Sequence, residues 1–165
     1  MSVLISEVGP RDGLQNVKAV MPTEAKKAWI AAEAATGVRE IEVGSFVPAK
    51  LLPQLADTAE IVAFARTLPD LTVAVLVPNA RGAADAIAAG AHKLTLPLSV
   101  SETHSLKNLR RTHDQVIEEA ARIAAMIREL PEESVRTSKA ACPPCSAARW
   151  RAACPTRRSR GWRSG

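Results

Sequence analysis

An arginine and an aspartate stand side by side in the segment EVGPRDGLQN, at Arg11 and Asp12. A guanidinium is a permanent cation that can stabilise a developing anion, whereas a carboxylate is a hard oxygen ligand for a divalent cation. A Gly-Pro pair precedes the two residues, a glycine follows them, and an apolar stretch at residues 3–8 leads into the segment. Because an exposed ion pair adds little stability, the pattern indicates a candidate site at the end of a strand.

Apolar strands and amphipathic helices alternate along the first 130 residues. The strands are indicated by short runs rich in Val, Ile and Leu, and the helices by apolar residues at helical spacing. Four strand–helix units predict a parallel sheet with helical crossovers, either doubly wound or part of a (β/α)8 barrel. The predicted strands begin at about residues 3, 39, 71 and 92, and the predicted helices span about 22–37, 55–67, 80–90 and 112–129.

Polar side chains follow each predicted strand. In both architectures, functional groups lie at the carboxyl ends of the strands. No G-x-G-x-x-G follows the first strand, so a dinucleotide site has no support, and four polar strand ends favour the mouth of a barrel. These strand ends carry Arg11 and Asp12, Ser45, Asn79, and Ser101 with Glu102.

Glu42 lies inside the second predicted strand, between Ile41 and Val43. A carboxylate that faces the interior of a covered parallel sheet must be paired or protonated. Arg11, at the end of the neighbouring first strand, is the predicted partner. The pair has two interpretations, an ordinary buried ion pair or part of a functional site, and buried carboxylates at strand ends favour the site.

Charge is divided unevenly along the 165 residues, which carry a net charge of +5. All 17 acidic residues lie in residues 1–134 with 14 of the 22 basic residues, so this body carries −3, and residues 135–165 form a basic tail. An acidic body argues against a phosphate-tracking surface, so we predict no nucleic-acid partner. Two alternatives belong to other classes of function: a nucleic-acid-binding module that uses the basic tail, and a scaffold protein.

No apolar run approaches the roughly 20 residues of a membrane span, so we predict no membrane partner. The N-terminus lacks the pattern of a signal or transit peptide, which predicts a cytoplasmic protein.

All three cysteines, Cys142, Cys145 and Cys154, lie in the basic tail. The first two have the C-x-x-C spacing of zinc and redox sites. No histidine follows His113, so a local zinc site would lack a fourth ligand, and the two prolines between the cysteines do not indicate a redox motif. We predict no function for these cysteines. The scattered His92, His104 and His113 are predicted to be solvated surface residues.

Four blocks together resemble the first half of the 3-hydroxy-3-methylglutaryl-CoA lyases. The blocks EVGPRDGLQN, IEVGSFVPAKLLPQLAD, VLVPN and SETHSLKN occur in the order and spacing of that family. The lyases read GPRDGLQ where the related homocitrate and isopropylmalate synthases read LRDGEQ. The resemblance covers residues 3 to about 136 and implies an α/β fold, a partial (β/α)8 TIM barrel of about four βα units.

This resemblance implies a carbon–carbon lyase. Such enzymes cleave 3-hydroxy-3-methylglutaryl-CoA to acetyl-CoA and acetoacetate, a reaction of leucine catabolism, with the help of a divalent cation, Mg²⁺ or Mn²⁺. Asp12 matches the carboxylate ligand of that cation. Arg11 matches the arginine that stabilises the developing enolate, and Glu42 matches the carboxylate that orients this pair.

Four further residues lie in matching blocks and are implied to line the channel for the acyl-CoA substrate: Gln15, Ser45, Asn79 and Asn108. Two departures lie near the expected acyl-CoA path, FVPAKLLPQL in place of FVSPKWVPQM and LPLSVSETHS in place of a GAASE-like stretch. A lyase that acts on another 3-hydroxyacyl-CoA is therefore the near alternative.

The resemblance ends at about residue 136. The family continues with a fifth strand, His-x-His metal ligands and a Gly-rich loop with a catalytic cysteine, whereas the tail is rich in Arg, Ala, Pro and Ser, as GC-rich codons read out of frame would be. We expect a truncated and nearly inactive half-barrel, residues 1–134, followed by an irregular tail, residues 135–165. We expect unpaired strand edges, and an open inner face at which apolar burial is lost. Both features predict a homodimer or aggregation.

Overall fold

The computed structural model describes residues 3–130 and 139–141. In this part of the chain, parallel strands alternate with helices. The strands are β1 (Ser6–Glu7), β2 (Glu40–Ser45), β3 (Thr72–Leu76), β4 (Lys93–Pro97) and β5 (Lys139–Ala141), and the helices are α1 (Thr23–Ala35), α2 (Thr58–Ala65), α3 (Ala80–Ala88), α4 (Glu102–Leu109) and α5 (His113–Arg128). A helical turn, Gly9–Gly13, follows β1, and a short 3-10 helix, Pro53–Leu55, precedes α2. No helix among these residues is long and apolar enough to cross a membrane.

The strands pair in chain order, β1-β2-β3-β4-β5, and every pair is parallel. This order, with α1, α2 and α3 as the crossovers between β1 and β4, confirms the prediction of a partial (β/α)8 barrel. It also places the carboxyl ends of the strands at one edge of the sheet, because parallel strands all point the same way.

The fifth strand was not predicted, since an irregular tail was expected after residue 134. Lys139–Ala141 pair with Thr95, Leu96 and Pro97 of β4. Parallel pairing uses backbone groups that every non-proline residue carries, so three residues can extend a sheet without any pattern in their side chains. The remaining predictions for the tail, including those for the three cysteines, lie outside the described residues.

The apolar core lies between the sheet and its helices. Alternate strand residues face the helices, and the helices bury their apolar stripes against them. Strand members of this core include Ile41, Val73, Val75 and Leu94, and helix members include Ile30, Ile61, Val62, Ala83, Val116 and Ile123. The apolar core therefore packs against the outer, helix-covered face of the sheet.

The inner face of the described sheet is polar, which corrects the expectation that an apolar interior would be left open. Glu42 lies beside Ala74, and Ala74 lies beside Lys93, in the register of β2, β3 and β4. Glu40, two residues before Glu42, forms a buried ion pair with Lys93. Apolar burial in the described strands is thus supplied mainly by the helices and does not depend on a filled barrel interior.

Side-chain caps begin the helices α3, α4 and α5. α5 begins with a capping box in which Thr112 and Gln115 exchange side-chain and backbone hydrogen bonds. α4, which was not predicted, is capped by Ser101, and its Ser105 hydroxyl donates to the Arg111 carbonyl at 2.8 Å. At eight residues it is too short to show a clear helical period in the sequence, so tertiary contacts and caps hold it.

Candidate active site

The turn Gly9–Gly13 fixes the backbone of Arg11 and Asp12. The amides of both residues donate to the Val8 carbonyl, at 3.1 and 2.7 Å. A Cβ atom at Gly9 would lie 2.9 Å from Glu7 Oε1 and 3.0 Å from the Trp29 ring. A side chain at this position would require the Glu7 carboxylate and the Trp29 ring to shift, so glycine favours the close approach of the turn to α1.

Arg11 joins two carboxylates at the carboxyl end of the sheet. Its Nε and NH2 groups lie 2.6 and 2.5 Å from Oε2 of Glu42, and NH1 lies 2.7 Å from Oδ1 of Asp12. The side chain of Glu42 is 4% exposed, that of Arg11 14%, and that of Asp12 53%. The predicted pairing of Arg11 with Glu42 is therefore confirmed, and the guanidinium is held between a buried anion and a solvated one.

The second oxygen of Glu42 sets this pair apart from an ordinary ion pair. Glu42 Oε1 is buried and has no hydrogen-bond partner among the described residues. A buried acceptor without a partner costs free energy, and such atoms tend to occur where function requires them. The pair thus keeps an unused hydrogen-bonding position beside the cation.

The described residues offer only part of a metal site. No group of three His, Cys, Asp or Glu side chains in residues 3–130 or 139–141 could hold a metal ion. Asp12 is exposed and carries the oxygen donors that Mg²⁺ and Mn²⁺ prefer. It fits as one ligand of a hard cation but does not form a site alone.

Ser45 and Asn79 share a groove of about 330 Å³ between the β2–α2 loop and the start of α3. Each side chain already makes a structural hydrogen bond. Ser45 Oγ accepts from the Val47 amide at 3.3 Å, and Asn79 Oδ1 accepts from the Gly82 amide at 2.9 Å, capping α3. Arg11, Asp12 and Glu42 do not line this groove, so the structure divides the predicted site residues into two neighbouring groups.

Among the described residues, neither Gln15 nor Asn108 hydrogen-bonds to Arg11, Asp12 or Glu42. Gln15 is half-buried just after the turn, and Asn108 is exposed on α4. Asn108 Nδ2 lies 2.7 Å from His104 Nε2, while the other ring nitrogen of His104 lies 2.7 Å from Ser99 Oγ. His104 is exposed, as predicted for a surface histidine, and is also engaged in these side-chain hydrogen bonds.

The prediction of solvated surface residues is wrong for the other two histidines. His92 is half-buried and its Nδ1 accepts from the Val73 amide at 3.0 Å, and His113 is half-buried with its Nε2 inaccessible to solvent.

Sequence reasoning also missed Lys26 and Asp57, which form an ion pair at the same end of the molecule. Lys26 is buried. A signal was present, because Lys26 lies four residues before the buried Ile30 and therefore on the inward face of α1. Its carboxylate partner, 31 residues further on, left no local trace.

Residues 2–150 match the family model described as HMGL-like. The chain is 45% identical over 107 residues to the cytoplasmic 3-hydroxy-3-methylglutaryl-CoA lyase of Rattus norvegicus, covering 65% of this chain and 31% of the relative. It is 36% identical over 143 residues to the mitochondrial hydroxymethylglutaryl-CoA lyase of Gallus gallus, covering 86% of this chain and 48% of the relative. The chain thus spans less than half the length of these curated relatives.

Solved structures of HMG-CoA lyases also match this chain. The fold matches an HMG-CoA lyase from Acinetobacter baumannii in complex with coenzyme A and 3-methylmalate, with a TM-score of 0.73 and 35% identity, over 80% of this chain and 43% of that chain. The HMG-CoA lyase of Bacillus subtilis matches with the same TM-score and identity, over 77% of this chain and 43% of that chain. Because a family model matches residues 2–150, and because 36–45% identical relatives and solved structures with a TM-score of 0.73 also match, the chain belongs to the HMGL-like family.

Proposed function

We propose that this chain carries the Arg11–Asp12–Glu42 portion of a lyase site that cleaves 3-hydroxy-3-methylglutaryl-CoA to acetyl-CoA and acetoacetate. One observation supports this above the others. Arg11 is held by the buried Glu42 and stands next to the exposed Asp12 at the carboxyl edge of the sheet. A fixed cation beside an available oxygen ligand suits a reaction in which negative charge develops on a bound carbonyl compound.

Each of the three side chains has a separate role in this proposal. Arg11 directs its guanidinium at the thioester oxygen, where negative charge develops as the carbon–carbon bond breaks. Glu42 keeps the guanidinium in place and offsets its charge before substrate binds. Asp12 holds one position of a divalent cation, Mg²⁺ or Mn²⁺, which supplies Lewis-acid polarisation of substrate oxygens when bound.

We assign the second group of residues to the acyl-CoA. Gln15, Ser45, Asn79 and Asn108 would line its path, and the 35% identical structure from A. baumannii was solved with coenzyme A. Because Asn79 Oδ1 is used by the Gly82 amide, the amide nitrogen of Asn79 is the group we assign to substrate. A 3-hydroxyacyl-CoA with another acyl group is the alternative substrate, and the cytoplasm is the proposed compartment.

The proposal is tested by Mn²⁺ binding to the purified chain, measured by electron paramagnetic resonance with and without 3-hydroxy-3-methylglutaryl-CoA. We expect weak binding that tightens with the acyl-CoA and is lost in Asp12→Asn. Asp70→Asn is the matched control, because Asp70 is exposed and adopts φ 58°, a conformation that asparagine tolerates. Equal Mn²⁺ binding by both variants would contradict the proposal, and the same titration with other 3-hydroxyacyl-CoAs ranks the substrates.

We also propose that the chain self-associates through the β1 edge of the sheet. Val3, Leu4 and Ile5 lead into β1 and are 87%, 54% and 70% exposed. Exposed apolar residues beside an unpaired edge favour pairing with another chain. Light scattering should show a dimer or larger species that Ile5→Lys reduces, whereas Leu51→Lys, at a loop residue 71% exposed, should leave the mass unchanged.

A further inference from the structure

The segment that links the Arg11 turn to α1 has little apolar burial to hold it. Residues 16–20 are all exposed. Within the segment, the amides of Asn16 and Val17 donate to the carbonyls of Gly13 and Leu14 at 3.2 and 3.1 Å. Such local bonds alone leave a loop free to open, because they compete directly with water. Something else must fix the downstream end of the turn.

One long-range hydrogen bond does so. Gln54 Nε2, in the short helix that precedes α2, donates to the Val17 carbonyl at 2.7 Å. The β1–α1 segment is therefore tied at two points, upstream to β2 by the bond of Arg11 to Glu42 and downstream to the short helix before α2 by the bond of Gln54 to Val17. Between these two points lies Asp12.

The backbone of Gln54 is in turn fixed by a buried lysine. Lys26 is 2% exposed, and its Nζ donates to the Gln54 carbonyl and to Asp57 Oδ1, both at 2.6 Å. Thr23, one turn earlier on α1, donates to the other oxygen of Asp57 at 2.7 Å. A buried ammonium is tolerated when it is paired and hydrogen-bonded, so this arrangement joins the start of α1 firmly to residues 54–57.

We propose that Lys26 and Gln54 act together as positioning residues for the segment that carries Arg11 and Asp12. Lys26 fixes the position of the Gln54 backbone, and the Gln54 side chain fixes the position of Val17. Together these hydrogen bonds restrict the position of the turn Gly9–Gly13. The importance of this for catalysis rests on the proposed function, whereas the positioning itself depends only on these hydrogen bonds. Neither residue contacts Arg11 or Asp12 through a hydrogen bond in the described part of the chain.

Hydrogen exchange on the purified chain tests the positioning. Gln54→Met keeps the length of the side chain and removes the donor to Val17. The amides of Asn16 and Val17 should then exchange about 2- to 10-fold faster, as the loss of one net hydrogen bond predicts. Lys26→Met should accelerate the same amides at least as much, because it removes the support of the Gln54 backbone. The buried β3 amides of Val73 and Val75 report global stability and should be unchanged in Gln54→Met.

Lys27→Met is the matched control. Lys27 neighbours Lys26 on α1, but its Nζ bonds to Glu24 and Glu60 at the surface, so Asn16 and Val17 should exchange as in the unmodified chain. If Lys26→Met unfolds the chain, Gln54→Met alone decides the result. Unchanged exchange at Asn16 and Val17 in Gln54→Met would overturn the proposal.

A second measurement separates this inference from the proposed function. Mn²⁺ should protect the amides of residues 11–16 in the unmodified chain and protect them less in Gln54→Met. If Mn²⁺ protects nothing in the unmodified chain while Gln54→Met still accelerates exchange, the proposed function fails and the positioning stands.

Discussion

Two glutamates of β2, Glu40 and Glu42, lie two residues apart on the same strand, and each is paired with a cation from another element. Glu40 meets Lys93 of β4, and both side chains are at most 9% exposed. Glu42 meets Arg11, which also contacts the half-exposed Asp12. The first pair is shielded from solvent. The second pair contacts solvent through Asp12, and its buried Glu42 Oε1 has no hydrogen-bond partner among the described residues.

The difference shows that burial of a charge pair does not by itself identify a site. A closed pair can fasten one strand to another, and its replacement by apolar residues is often neutral. A pair that opens at the carboxyl edge of the sheet, with hydrogen-bonding capacity left over, is positioned to act on a ligand. The two pairs should therefore respond to mutation in opposite ways, one through stability and the other through binding.

The largest effect on stability is expected at the closed pair. Lys93→Met removes the ammonium and leaves the Glu40 carboxylate inside the sheet, which should lower the free energy of unfolding by about 3–5 kcal/mol, measured by urea denaturation. The double variant Glu40→Leu with Lys93→Met should recover most of this loss. A double variant less stable than the single one would show that Glu40 stabilises the fold without Lys93.

A smaller stability effect with a larger binding effect is expected at the open pair. Glu42→Gln keeps the shape and one acceptor, and Arg11 keeps Asp12, so the loss should be about 1.5 kcal/mol. Mn²⁺ affinity should fall about 10- to 100-fold, the usual cost of removing a group that orients a ligand. If Lys93→Met weakened Mn²⁺ binding as much while the chain stayed folded, the division between the two pairs would be wrong.

A third carboxylate, Glu33 on α1, should show the smallest effect. Burial raises the pKa of Glu33 above its ordinary value, the Glu7 carboxylate raises it further, and a hydrogen bond with Trp29 opposes the rise. The folded chain therefore holds this proton more tightly than the unfolded chain, so the stability that protonated Glu33 contributes is lost as pH rises through the pKa of the folded state.

Glu33→Gln should accordingly stabilise the chain slightly at neutral pH, within about 0.5 kcal/mol, and have no effect below about pH 4, where Glu33 is protonated. Denaturation midpoints at the two pH values measure this. Glu118→Gln, at an exposed position on α5, should change neither midpoint. A gain for Glu33→Gln that persists in acid would mean that packing, and not charge, causes it.

Much of the site was predictable because it depends on the order of elements along the chain. Arg11 ends one strand and Glu42 lies within the next, and consecutive strands joined by a helix usually become parallel neighbours. Their contact therefore follows from local patterns alone. The same reasoning placed Asp12, Ser45 and Asn79 at one edge of the sheet, although their roles in binding and catalysis remain predictions.

The features that were missed depend on distance or on backbone geometry. The partners Glu40 and Lys93 lie 53 residues apart and Lys26 and Asp57 lie 31 apart, so no local pattern links them. The helix α4 is too short to show a period, and β5 is held by backbone pairing with β4. In each case the decisive interaction forms only after the chain has folded.

The sequence by itself determined the family, through the resemblance of its motif blocks. It also determined the alternation of strands and helices and the Arg11–Glu42 pair, because spacing and apolar periodicity determine these features locally. Only the tertiary structure decided that the inner face is polar, that one glutamate pair is closed and the other open, and that Gln54 fixes the Val17 carbonyl. The physical reason is that desolvation depends on what surrounds a charge in space, and spacing along the chain does not specify that.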